Sequence, residues 1–117
     1  MPGRDTLTTG DLGEQLAADY LQQHGYRLLC RNFRCPCGEI DIIAEREGVI
    51  YFVEVKSRNK STFAPPAANV TRTKRRQISR AAALWFAKQG YELPSGLLVA
   101  EVYLDSGNIH LLEDFLL

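Results

Sequence analysis

Apolar residues between Thr9 and Gly25 recur at helical spacing, with Leu12, Leu16, Ala17, Tyr20 and Leu21 forming one stripe. Thr9 or Asp11 can cap this helix, Glu14 stands in a capping-box relation to Asp11, and Gly25 is placed to end it. From Tyr26 the period falls to two. Tyr26 to Arg34 reads as a strand with Leu28, Cys30 and Asn32 on one side and Leu29, Arg31 and Phe33 on the other. Cys35-Pro36-Cys37-Gly38 reads as a turn into a denser hairpin, GEIDIIAE followed by VIYFVEVK, with Glu47-Gly48 at its tip. Three strands in series make an antiparallel meander whose apolar face is expected to meet the first helix.

After Arg58 the pattern dissolves into prolines and small residues, so a mobile loop is expected over 59–71, and residues 1–8 read as a flexible lead-in. A second helix is expected from Thr71 or Thr73 to about Gln89, stopped by Gly90. It would bury Ile78, Ala81, Ala82 and Trp85, with Leu84 and Phe86 at the margins; both aromatic residues read as core rather than as platforms for stacking bases. Leu97 to Leu104 reads as a buried strand, Ser106-Gly107-Asn108 as a turn, and Ile109 to Leu112 as a closing strand, after which EDFLL packs on the edge or frays. The order is α-β-β-β-α-β-β. The fold class is α/β, a single domain over 1–117 with a mixed five-stranded sheet flanked by helices.

Composition adds compartment and charge. With 117 residues, 45% hydrophobic and 24% charged, the chain can build a core without disulfides. No stretch approaches a membrane span, and MPGRDTLTTGD lacks the apolar core of a secretory signal, so a cytoplasmic protein with no membrane partner is expected. Three cysteines fit that compartment without a disulfide framework. Cys30, Cys35 and Cys37 are expected to be ordinary thiols, with redox chemistry or a metal bridging two subunits as the alternatives. Formal net charge is zero, but nine of the fourteen Lys and Arg residues fall between Val55 and Tyr91, a span with no Asp or Glu. One side of the protein is therefore expected to be basic.

The hairpin carries the candidate chemistry. Alternation puts Ile50, Phe52, Glu54 and Lys56 on one face of its second strand, and a turn at Glu47-Gly48 sets Asp41 across from Glu54 and Glu39 across from Lys56. Two opposed acids repel and need a compensating cation. Lys56 is one candidate and a divalent ion is the other. Magnesium takes one or two carboxylates with water and phosphate, so Asp41 and Glu54 could begin its coordination, while Lys56 orients water or neutralises a phosphate under attack. A solvated, salt-bridged hairpin is the plainer alternative. Glu14, at the margin of the first helix's stripe, is either an acid that suits a helix start or a further metal or water ligand.

Arg72, Lys74, Arg75, Arg76 and Arg80 crowd the start of the second helix, where cations oppose the dipole at a cost of roughly 0.3–1 kcal/mol each. Binding phosphate would offset that cost, since the helix start and the basic side chains attract the same anion. A solubilising surface is the alternative.

The element order, with Asp41, Glu54 and Lys56 on one face, resembles the restriction-endonuclease-like fold of the PD-(D/E)xK nucleases. More closely, the chain looks like the uncharacterised YraN family of bacterial proteins, distant relatives of archaeal Holliday-junction resolvases. The resemblance rests on Gly10, Gly13-Glu14, Gly25-Tyr26, Arg31-Asn32-Phe33-Arg34, Gly38-Glu39-Ile40-Asp41, Phe52-Val53-Glu54-Val55-Lys56-Ser57-Arg58, Val70-Thr71 and Lys74. In the fourth strand, where the family commonly has Arg-Phe-Asp, this chain has Gly96-Leu97-Leu98-Val99-Ala100. The resemblance implies a Mg²⁺- or Mn²⁺-dependent endonuclease acting on DNA, with branched or distorted DNA as a candidate substrate. Asp41 and Glu54 would hold the metal with Glu14 as an extra ligand, Lys56 would be the catalytic lysine, and Arg58, Arg72, Lys74, Arg75 and Arg76 would contact nucleic acid. A homodimer would suit a task on two strands. The alternative function is a nucleic-acid-binding module that keeps the fold without the chemistry; weaker still is an interaction subunit using the basic helix on an acidic partner.

Overall fold

A computed structural model describes residues 9–58 and 71–114. The elements are α1 (Thr9–Gln23), β1 (Arg27–Cys35), β2 (Gly38–Arg46), β3 (Val49–Arg58), α2 (Arg72–Gln89), β4 (Ser95–Tyr103) and β5 (Asn108–Asp114). They follow the expected order. The expected lead-in at 1–8, nearly all of the expected loop at 59–71, and the last three residues lie outside the described residues.

The five strands form one sheet in the order β1-β2-β3-β4-β5, antiparallel throughout except for the parallel pair β3 and β4. A parallel neighbour needs a crossover, and α2 supplies it. Each end of α2 is chemically marked. The Thr71 hydroxyl accepts from the Lys74 amide at 3.1 Å, and Gly90, at φ 83°, donates its amide to Phe86 O. At the hairpin tip Glu47 and Gly48 both have positive φ, the backbone that a two-residue turn between twisted strands requires.

The sheet has two buried faces. α2 lays Ile78, Ala81, Ala82, Trp85 and Phe86 against Ile40, Ile43, Ile50, Phe52, Leu97 and Val99. On the opposite face α1 lays Ala17, Ala18 and Leu21 against Ile42, Ala44, Val53, Leu98, Ala100 and Val102. Trp85 and Phe86 are thus core, each edge-on to Phe52. Several local expectations change. Leu12 is exposed rather than part of the α1 stripe, and Ala18 is buried in its place. Strict alternation in β1 is broken by a register shift between Leu28 and Cys30, so Leu28 packs on the α1 side while Leu29, Cys30 and Phe33 all pack on the α2 side. Cys35 and Cys37, expected as thiols, are joined in a disulfide across the β1–β2 turn; Cys30 is a free thiol.

Candidate functional site

Along β3 the face toward α2 starts apolar and ends charged. Ile50 and Phe52 are sealed in the core, whereas Glu54, Lys56 and Arg58, further along the same face, are half-buried. β4 runs parallel beside it and changes character at the same level: Leu97 and Val99 are core, and Glu101 stands in register with Lys56. The first turn of α2 meets this boundary. Lys74 Nζ lies 3.4 Å from Glu54 Oε2. Lys74, one of five residues expected to contact nucleic acid, therefore lies against the carboxylates.

The β2–β3 ladder keeps the expected register from Arg46↔Val49 to Ile42↔Val53, one step short of the expected Asp41–Glu54 pair. The ladder stops there. The Val55 amide donates to Asp41 Oδ2 at 2.8 Å, so a side chain takes the amide that a further rung would have used. The alternation of β2 slips at the same place, since Ile40 packs on the α2 side and Ile42 on the α1 side. Glu39, expected across from Lys56, instead lies 3.9 Å from Arg34 on its other neighbour, β1.

Burial is the main force on both acids. It raises the Asp41 carboxyl above its ordinary 3.8; the Val55 amide pulls the other way, Glu39 adds repulsion, and Lys74 and Lys56 oppose it. It also raises Glu54 above 4.5, with repulsion from Asp41 next in size and the ammonium groups of Lys74 and Lys56 working against both. Asp41, Glu54, Lys56 and Lys74 thus share one field, with two acids held where ionisation is unfavourable and two lysines beside them.

Glu14 arrives from the other helix. A Cβ on Gly13 would come within 1.8 Å of Ser57 Oγ and 3.0 Å of Ser57 Cβ, so only glycine lets the first turns of α1 lie this close to β3. Glu14 is consequently near enough to Asp41 for that charge to raise its pKa, second only to burial. Its ion-pair partner is Arg31 at 3.9 Å, and Arg31 also donates to Gln15 Oε1 at 3.1 Å. Among the described residues no three His, Cys, Asp or Glu side chains are gathered to hold a metal. The Asp41 and Glu54 pair nevertheless suits the hard oxygen chemistry of magnesium, which needs few protein ligands, and does not suit a closed zinc site.

The other basic residues divide. Arg72 and Arg76 are exposed at the start of α2 and Arg75 is half-buried. Arg58 is half-buried and engaged by a neighbouring strand, its Nε 2.6 Å from Glu101 Oε2. The reading of the sequence did not single out Glu101. Its side chain is 2% exposed, and Tyr103 donates to its other oxygen at 2.8 Å. One signal was available: an acid between Ala100 and Val102 in a strand otherwise apolar from Gly96 onward.

Residues 13–109 match the model of the uncharacterised protein family UPF0102. The chain belongs to that family. It is 45% identical over 108 residues to a UPF0102 protein of Trichlorobacter lovleyi, covering 91% of this chain and 85% of the relative. It is 41% identical over 112 residues to one from Pelobacter propionicus, covering 93% and 80%. A third, from Geobacter metallireducens, is 54% identical over 80 residues, 68% of this chain and 66% of the relative. The UPF0102 match spans α1 to the start of β5, and so takes in Glu14, Asp41, Glu54, Lys56, Lys74 and Glu101.

Proposed function

We propose that this UPF0102 chain is a metal-dependent endonuclease that hydrolyses DNA phosphodiester bonds, with branched or distorted DNA as its substrate class. The observation that carries the reading is the closeness of Asp41 and Glu54 at the end of the β2–β3 ladder, where the Asp41 charge raises Glu54, both acids are pushed up by burial and Lys56 and Lys74 oppose them. The likeness of the Asp41, Glu54 and Glu-x-Lys set, and of the element order, to the PD-(D/E)xK nucleases supports it further.

Asp41 and Glu54 would hold magnesium or manganese. Such an ion neutralises the phosphate and acidifies bound water. Lys56 Nζ holds the attacking water or the charge that develops on the phosphate. Arg72, Arg75 and Arg76 hold the flanking backbone; such contacts fix position without reading sequence, so shape decides the substrate. The protein would act in the cytoplasm, and two copies would serve a substrate cut on both strands.

The second reading, a nucleic-acid-binding module without chemistry, draws on the Lys74–Glu54 ion pair, because a lysine there can replace the cation. Cleavage of a labelled four-way DNA junction with Mg²⁺ or Mn²⁺ separates the two. The nuclease reading expects nicking by the wild type and none by Glu54→Ala. Salt-sensitive binding without nicking in either metal would leave the binding module.

A further inference from the structure

Glu101 is a buried carboxylate with no part in the reaction just described, yet it stands beside the catalytic lysine. On the face toward α2, Lys56 is in register with Glu101 and Arg58 with Tyr103, so the four side chains form a square. Both carboxylate oxygens of Glu101 are used, Oε2 by Arg58 Nε and Oε1 by the Tyr103 hydroxyl. A charge at 2% exposure is costly unless it is paired, and this one is anchored from two sides. Arg58 is different: its side chain keeps 34% exposure. A guanidinium is a planar fork whose Nε and Nη groups donate along different edges, so engagement at Nε fixes the plane while leaving Nη donors to meet an anion.

We propose that Glu101 is a positioning residue that locks Arg58 as a rigid phosphate contact beside Lys56. The ligand class is a backbone phosphodiester, and the inference rests on the nucleic-acid reading above. A mobile arginine must be ordered each time it binds; one already held loses less freedom on contact. The fork, rather than charge alone, is what the site uses.

The sign of one substitution tests this. Glu101→Gln keeps the shape and removes a negative charge, so on charge alone it strengthens DNA binding. Positioning expects the reverse, an affinity for a labelled DNA junction about tenfold weaker at fixed salt, because the charge-assisted bond to Arg58 is lost. Placed on an Arg58→Ala background, the same change should have no further effect on DNA affinity, since the guanidinium that Glu101 orients is then gone. Arg58→Lys covers the case in which Glu101→Gln does not fold: it keeps the charge, loses the fork and should bind about as weakly as Arg58→Ala. Equal or tighter binding by Glu101→Gln, or an unchanged affinity in Arg58→Lys, overturns the inference while leaving the nuclease reading in place. Failure of the wild type to bind the junction at low salt overturns both.

Discussion

The Val55 amide donates to the Asp41 carboxylate at 2.8 Å, across the gap where β2 and β3 stop exchanging backbone hydrogen bonds. That bond ties the orientation of an acid to the end of a ladder. It also helps to account for a charge on the half-buried Asp41: a backbone donor bears part of its cost, and Lys74 and Lys56 bear another part.

Acidity and stability are linked at this site. Burial raises Asp41 and Glu54 above their ordinary values of 3.8 and 4.5, so the folded protein holds these protons more tightly than the unfolded chain. Their contribution to stability is complete below the unfolded values and is lost as pH rises through the folded ones. Asp41→Asn keeps an acceptor for the Val55 amide and removes the titration. Urea unfolding of both proteins across pH 4 to 8 should therefore show the variant gaining on the wild type as pH rises, and a variant that loses ground over that window contradicts the argument.

Lys74 has two roles that pull a single substitution in opposite directions. It pairs with Glu54 at 3.4 Å and it belongs to the basic run at the start of α2. Lys74→Ala should tighten Mn²⁺ binding, because a competing cation is gone. It should also weaken DNA binding and reduce the salt dependence by about one counterion, measured as the slope of log affinity against log salt.

Gly13→Ala sets helix propensity against packing. Alanine is better in a helix by about 1 kcal/mol, but its Cβ would overlap Ser57 Oγ at 1.8 Å. Overpacking of this kind costs about 1–3 kcal/mol, so the variant should be less stable in urea than the wild type. Adding Ser57→Gly should restore most of the loss, since Ser57 Cβ and Oγ are the nearest atoms in the way.

The parts of the fold that could be read in advance are those set by local chemistry. The Glu47-Gly48 turn fixes the hairpin register, Thr71 and Gly90 bound α2, and the apolar stripe of Ile78, Ala81, Ala82 and Trp85 names its buried face. What escaped is set by neighbours. The register shift near Leu28 and the switch of Ile40 to the α2 side come from pairing and twist, which alternation along one strand does not contain. Leu12 lies on the helical stripe but beyond the core that α1 covers. Around the candidate site, the closeness of Asp41, Glu54 and Lys56 was legible because a hairpin is local. The Lys74–Glu54 contact and the Arg58–Glu101–Tyr103 group depend on the crossover that brings α2 and β4 back to β3, so Lys74 and Arg58 were expected only as nucleic-acid contacts and Glu101 was not singled out.

The central claim is that Asp41 and Glu54 together form a seat for a divalent cation. Calorimetric titration of Mn²⁺ into the wild type, Asp41→Asn and Glu54→Gln tests it most directly, with folding checked by circular dichroism. The account predicts one ion bound per chain by the wild type and binding lost in both variants. Binding that survives in either variant, or no binding by the folded wild type, contradicts it.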